Sequence, residues 1–220
     1  MDGKAILRFS AGERIFHWVY FVSFVVLAVT GAFLYVPWLA FAVGEAGKTS
    51  RLLHRLFALG FLASPLLPLF IAPRRYLRNL GEAFSWRSED VRGLWVILTR
   101  YYWNGSQRGL PPQGKFTAGQ KLHVVVQFMA SAVIGVTGLI LWFGPGHVSV
   151  GWLGWSVLLH GLSVVVAMCF VLVHLYMVVV HPLTNEAIAA MTLGTVSDDY
   201  ARTHHPRWYA ELERRRAGRS

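Results

Sequence analysis

Cysteine is all but missing from this sequence: Cys169 stands alone among 220 residues. That excludes an internal disulfide framework, a zinc finger and a cysteine-ligated iron–sulfur cluster held by this chain. Charge is nearly as scarce. Charged residues make up 15% of the chain, where a soluble domain carries about 25%. Acidic residues are the rarer sign, eleven against twenty-one Lys and Arg, which leaves a formal net charge of +10. A basic excess points to nucleic acid only when the basic residues share a solvated face; here uncharged runs of about 20 residues interrupt them, which excludes a nucleic-acid partner. Period-two alternation is also missing, so a membrane β-barrel is excluded and helices are left as the spanning element.

What is present is apolar length. Hydrophobic residues reach 55%, and four stretches, Ile15–Val36, Leu52–Ala72, Leu122–Phe143 and Trp155–Val180, are each long enough to cross the roughly 30 Å of hydrocarbon that about 20 helical residues span. Arg55, near one end, is the one charged residue in them. The first follows Lys4, Arg8 and Arg14 but is too long for the 7–15 residues of a typical signal-peptide core, so it reads as a retained helix. The expected fold is all-α: an integral membrane four-helix bundle, with residues 1–181 as the membrane domain and 182–220 as a soluble C-terminal tail.

Four crossings put both termini on one side. That side carries Lys4, Arg8 and Arg14, nine basic residues between Arg74 and Lys121, and six from Arg202 to Arg219; the other has Lys48, Arg51 and Arg55. Eighteen against three places both termini in the cytoplasm of a multi-pass protein of the bacterial inner membrane, with anionic lipid as an added partner. Within the 73–121 connection, Val91, Leu94, Trp95, Leu98, Tyr101 and Tyr102 recur at helical spacing opposite Arg92 and Arg100. This reads as a short helix lying on the membrane or on helix ends. The tail mixes Asp198, Asp199, Glu211 and Glu213 with its arginines and reads as solvated until a partner orders it. No internal repeat is apparent.

Polar side chains are costly in hydrocarbon, so the histidines carry most of the information. His160 and His174 share the fourth span, fourteen residues apart; that separation is about 21 Å of rise and about 40° short of four full turns, so the two face nearly the same way at opposite leaflets. The alternating direction of the helices puts His17 at the inner level with His174, and His54 at the outer level with His160. Two imidazoles per level fall short of zinc's usual three or four ligands. They suffice for haem iron, whose macrocycle supplies the other four, and a bis-histidine haem carries electrons instead of binding oxygen. The expectation is two haem b groups about 20 Å apart, with Gly31, Gly60, Gly135, Gly138 and Gly161 letting a flat ring approach the backbone. His123 is expected at a helix end facing water, His147 solvated in the outer turn, His181 as a cap of the fourth helix, and His204 and His205 in contact with a partner or water.

At these residues the chain resembles the gamma subunit, the dihaem cytochrome b, of membrane-bound formate dehydrogenases. The resemblance runs along nearly the whole sequence. It is carried by Arg14-Ile15-Phe16-His17-Trp18, Arg51-Leu52-Leu53-His54, Gly114-Lys115-Phe116-Thr117-Ala118-Gly119-Gln120-Lys121, Leu158-Leu159-His160-Gly161 and Val173-His174-Leu175-Tyr176-Met177, and by the tail from Gly194 to Tyr209 with its His204-His205-Pro206-Arg207-Trp208-Tyr209. It implies that His17, His54, His160 and His174 ligate haem iron. It implies a quinone at the cytoplasmic end, lined by His174 and by Thr117, Gly119 and Gln120. It further implies an iron–sulfur beta subunit as electron donor and a molybdenum- or tungsten-dependent alpha subunit that oxidises formate. The expected role is an electron-transfer subunit with no catalytic residue of its own. Two readings stay open beside it: the cytochrome b subunit of a nickel–iron hydrogenase or related oxidoreductase, and a cofactor-free transporter or scaffold bundle.

Overall fold

A computed structural model describes residues 5–39 and 46–218; Lys4 and Arg219, counted in the charge asymmetry, lie outside the described residues. The elements run β1 (Ile6–Leu7), α1 (Ala11–Tyr35), α2 (Ala46–Ala63), α3 (Pro73–Phe84), α4 (Ser88–Val96), α5 (Ala118–Phe143), α6 (Val150–Leu175), α7 (Ala187–Thr192), β2 (Thr195–Val196), α8 (Asp198–His204) and α9 (Pro206–Ala217). The fold is all-α apart from one two-residue strand pair. Among the described residues four helical stretches, Ala11–Tyr35, Gly47–Ile71, Ala118–Phe143 and Val150–Val180, are long and apolar enough to cross a membrane.

All four begin four or five residues before the apolar runs do, and the first turns at Ala11 and Ala118 are polar and capped. At α1, Ser10 and Glu13 form a reciprocal capping box: Glu13 N–H donates to Ser10 Oγ at 3.4 Å while Ser10 N–H donates to the Glu13 carboxylate at 2.7 Å. Arg75 Nε donates to the same carboxylate at 2.9 Å, so the buried Glu13 is paired. Ser10→Ala removes half of the box and is expected to cost about 1 kcal/mol, read as a drop of a few degrees in Tm in detergent.

The chain divides into two compact units. One comprises Ser10–Leu77 and Val133–Val164. Here α1 and α2 pack through Tyr20 stacked on Phe61 at 5.0 Å between centroids, with Phe24 beside them. Two prolines shape the end of α2: Pro65 sits in a 3-10 turn, Ser64–Leu66, before the helix resumes over Leu67–Ile71. Pro65 has no N–H to donate, and the Ser64 hydroxyl donates to Phe61 O at 2.8 Å.

The other unit comprises Met1–Phe9, Arg78–Ala132 and Val165–Ser220. In it β1 pairs antiparallel with β2, Ile6 opposite Val196 and Leu7 opposite Thr195. Gly194, in the left-handed region at φ 90°, turns its carbonyl onto the N–H groups of Arg8 and Phe9. Ile6, Phe9, Ala187, Ala190, Val196, Tyr200, Ala201 and Trp208 close a core around this pair. The tail is therefore folded against the N-terminal strand, which corrects the expectation of a solvated segment awaiting a partner. Its exposed charges dominate the composition, but Val196, Tyr200, Ala201 and Trp208 fall inward.

The 73–121 connection holds two longer helices, α3 of 12 residues and α4 of 9, and a short one at Tyr102–Asn104, where the sequence suggested one. In α4, Arg87 N–H donates to Asp90 Oδ2 at 2.9 Å, and the buried Lys121 ammonium pairs with the same oxygen at 3.0 Å. A π-helical turn, Ile97–Tyr101, then inserts an extra residue per turn and splits the single apolar stripe read from spacing. Val96, Ile97 and Tyr101 turn inward, while Val91, Trp95 (69% exposed) and Leu98 stay outside. That exposed face has the composition of a helix lying at a bilayer surface.

Candidate functional site

His54 on α2 and His160 on α6 belong to one unit and line one cavity of about 280 Å³, walled by Phe24, Ala28, Phe61, Leu62, Gly138 and Trp142. Arg51 and Arg55 also line it, and the Arg55 guanidinium lies 5.4 Å from the Trp142 ring centroid.

The two imidazoles are held in the same way. His54 Nδ1 lies 3.0 Å from Thr30 Oγ1, and His160 Nδ1 lies 3.0 Å from Thr137 Oγ1. Each threonine hydroxyl donates to the carbonyl four residues earlier, Val26 O at 2.7 Å and Val133 O at 2.6 Å. The next residue on each helix is glycine. A Cβ on Gly31 would stand 3.3 Å from His54 Cε1, and one on Gly138 would stand 3.3 Å from His160 Cε1. These two glycines make room for the imidazole rings themselves, where the sequence assigned them to a porphyrin. Gly60 and Gly135 serve close packing, against Ser23 Oγ at 3.1 Å and Leu62 Cδ2 at 3.0 Å, and Gly161 faces nothing within 4 Å.

Sequence reasoning passed over Thr30 and Thr137, although a signal was there: Val29-Thr30-Gly31 recurs as Val136-Thr137-Gly138.

His17, on α1, belongs to the same unit as His54 and His160 and meets Trp18 edge-on at 5.3 Å. His174 belongs to the other unit, where it stacks on His123 with centroids 4.6 Å apart and planes 21° apart. His123, expected at a helix end facing water, is half-buried and packs on one of the expected ligands.

Thr117 and Gln120 cap α5 reciprocally: Gln120 N–H donates to Thr117 Oγ1 at 3.3 Å and Thr117 N–H to Gln120 Oε1 at 3.1 Å. The buried Arg8 adds a bond to Gln120 Oε1 at 3.1 Å, and Ala118 N–H donates to Gln113 Oε1 at 2.9 Å. The helix-start N–H groups of Ala118 and Gln120 thus have side-chain partners. Gly119 stands at the surface of this turn, where a Cβ would lie 3.5 Å from Tyr102 Oη. Burial, with the neighbouring Tyr200, pushes the Tyr102 phenol up to about 12, so it stays a hydrogen-bond donor at any working pH.

Of the remaining histidines, His147 is exposed as expected. His181 closes the π turn after α6 with its N–H, accepts from Leu183 N–H through Nδ1 and meets Tyr102 O through Nε2 at 3.0 Å. His204 stacks on Tyr200 at 4.2 Å. His205 is 0% exposed, with Nδ1 2.8 Å from Gly114 O, so the expectation of contact with water or a partner is corrected for it.

The donor set tests the expected cofactor. Among the described residues no three His, Cys, Asp or Glu side chains gather as a protein-only metal site. A two-histidine, apolar-walled cavity with two arginines suits a haem, whose ring is apolar, whose propionates are anionic and whose iron asks the protein for only two ligands. In each pair the threonine hydrogen goes to a carbonyl, so the hydroxyl oxygen accepts from Nδ1–H, leaving the lone pair on Nε2, the form a metal requires. The residues fit.

Comparison with known proteins agrees. The chain is 26% identical over 219 residues to the nitrate-inducible formate dehydrogenase cytochrome b556(Fdn) subunit of Escherichia coli K12, covering 97% of this chain and 94% of that protein. It is 27% identical over 215 residues to the formate dehydrogenase cytochrome b556(fdo) subunit of the same organism, covering 95% and 94%. It is 27% identical over 212 residues to the formate dehydrogenase cytochrome b556 subunit of Haemophilus influenzae, covering 94% and 83%. The profile of the prokaryotic cytochrome b561 family matches residues 8–194. With four membrane-length helices and a two-histidine cavity suited to a haem, the chain belongs to the prokaryotic cytochrome b561 family, whose cofactor is haem b.

Proposed function

We propose that this chain is the membrane-anchor cytochrome b subunit of a formate dehydrogenase, with both termini cytoplasmic. His54 and His160 hold one haem b near the outer leaflet, and His17 and His174 hold a second near the inner leaflet. When bound, the two haems supply one-electron carriers through which electrons from an iron–sulfur beta subunit reach quinone. The observation that carries this reading is the single cavity lined by His54 and His160, each with Nδ1 on a threonine and Nε2 left for a metal. The inner pair rests on the depth arithmetic of the sequence.

The chain's own residues have separable roles. Phe24, Phe61, Leu62 and Trp142 exclude water from the outer site, and Arg51 and Arg55 offer cations to propionates. At the cytoplasmic end, Thr117, Gly119 and Gln120 present the capped start of α5 to a quinone, and His174 lines the same site. Tyr102 beside Gly119 holds a proton that a quinone carbonyl can accept as a hydrogen bond. The formate-oxidising chemistry belongs to a molybdenum- or tungsten-dependent alpha subunit.

The test is purification of the complex, with haem quantified against protein and a reduced-minus-oxidised spectrum recorded. The expected result is two b haems per chain, reducible by formate through copurifying iron–sulfur and molybdenum or tungsten subunits. A nickel–iron partner would transfer the chain to hydrogenases, and a protein without a haem spectrum would make it a transporter or scaffold.

A further inference from the structure

The duplicated Val-Thr-Gly segments do more than pack helices. Each threonine touches two acceptor-bearing groups at once: Thr30 Oγ1 reaches Val26 O at 2.7 Å and His54 Nδ1 at 3.0 Å, and Thr137 Oγ1 reaches Val133 O at 2.6 Å and His160 Nδ1 at 3.0 Å. A carbonyl cannot donate, and a hydroxyl has one hydrogen. That hydrogen is committed to the carbonyl in both cases, so both bonds to imidazole run from Nδ1–H to the threonine oxygen. The carbonyl bond polarises the hydroxyl and makes its oxygen a better acceptor. The glycine one residue on sets the ring's distance: a Cβ at Gly31 would approach His54 Cε1 to 3.3 Å and Nδ1 to 3.7 Å, and one at Gly138 would approach His160 by the same two distances.

The same pair of contacts therefore occurs twice, from two different helices, on the two histidines that share one cavity. Packing alone gives no reason for that duplication in donor direction, distance and following glycine. A threonine that merely satisfied its own hydroxyl would need only the i−4 carbonyl, which each already has.

We infer that Thr30 and Thr137 are positioning residues that fix the Nδ1–H tautomer and ring orientation of His54 and His160 and, by drawing on the Nδ1 proton, strengthen both imidazoles as electron donors to a ferric centre. This rests on the proposed role of the two histidines as axial ligands. A ligand whose N–H is drawn towards a strong acceptor is more basic and favours the oxidised iron. The two threonines act on the same site, so their effects add on one haem.

The test is a spectroscopic redox titration of the purified complex carrying Thr30→Val, Thr137→Val or both, with Thr30→Ser and Thr137→Ser as conservative controls. Each valine variant is expected to keep two haems and to raise the midpoint potential of one and the same haem, shifting its reduced-to-oxidised ratio at fixed ambient potential by roughly tenfold. Tenfold equals about 59 mV for a one-electron couple. The double variant shifts that haem further, the other haem does not move, and the serine variants titrate like the parent. Thr30→Ala and Thr137→Ala carry the same expectation and serve if the valine variants do not accumulate. Unchanged potentials in haem-loaded variants overturn the inference, as do shifts falling on two different haems. Absence of haem from the parent complex overturns instead the functional reading on which the inference stands.

Discussion

His160→Ala is expected to lower the haem content of the purified complex from two to one per chain and to stop quinone reduction by formate. The substitution deletes one of the two imidazoles in the cavity and leaves the Thr137 hydroxyl without its Nδ1–H partner. The other histidine proposed for this haem, His54, sits on a different helix and contacts its own threonine, Thr30. It cannot compensate, because an axial pair needs a nitrogen on each face. Loss of a supporting residue typically costs about 10–100-fold in affinity, so removal of a ligand should exceed that range while Thr137→Val stays within it. The vacated imidazole space gives a second readout: free imidazole added to the His160→Ala complex should restore part of the missing haem signal. Haem quantitation by the pyridine adduct decides it, and two haems retained per chain would remove His160 from the ligand set.

How much of this was legible in the sequence depends on what each residue is read against. The spans were legible because hydrocarbon tolerates so few charges that four runs holding a single charge, Arg55, leave little choice. Their starts were less so: the apolar runs begin at Ile15 and Leu122, whereas Glu13 and Gln120, the far halves of the two capping pairs, are polar and precede them. The π turn at Ile97–Tyr101 was not legible, since period arithmetic assumes a constant 3.6 residues per turn, and one inserted residue separated the buried Tyr101 from Trp95 and Leu98, which share its stripe in that arithmetic but stay outside. Thr30 and Thr137 were hidden by their ordinariness. A threonine inside a span is adequately explained by a bond to its own helix, and only the repeated triplet hinted at a second role.

The tail misled for the opposite reason. Its charges are conspicuous, and they are mostly outside: Arg202 pairs with Asp198 and Arg216 with Glu213 at the surface. The residues that decide its fate are Tyr200, Ala201, His205 and Trp208, too few to show a clear periodicity across the helix break at Pro206. Their partners are on β1 and before α5, far away in sequence. Arg8 is 1% exposed and donates to Lys115 O at 2.9 Å and to Gln120 Oε1, so a residue counted only as a topology charge also ties the N-terminus to the start of α5.

That tie makes the docked tail acid-sensitive, and His205 is the reason. Its Nδ1–H donates to Gly114 O, and its Nε2 is buried with no hydrogen-bond partner. Burial pushes its pKa well below 6.5, and the Arg8 guanidinium and His204 push the same way, against the Gly114 carbonyl. Tyr200 and Trp208 pack on its ring and offer it no negative charge. Above pH 6.5 the histidine is neutral both folded and unfolded, and pH has no leverage on it. Below 6.5 the unfolded chain takes up a proton that the folded one refuses, so stability falls with falling pH, at up to about 1.4 kcal/mol per unit. The loss begins near pH 6.5, where the unfolded histidine titrates, and grows as the pH falls towards the folded value. Hydrogen exchange or limited proteolysis at β1, α8 and α9 should show the tail opening over this range. His205→Asn retains an N–H for Gly114 O and removes the titrating group, so its opening should lose most of that pH dependence. Because Gly114 belongs to the segment that leads into Thr117 and Gln120, quinone reduction should decline over the same interval in the parent and be flatter in the variant. An equal acid slope in both proteins would assign the sensitivity elsewhere.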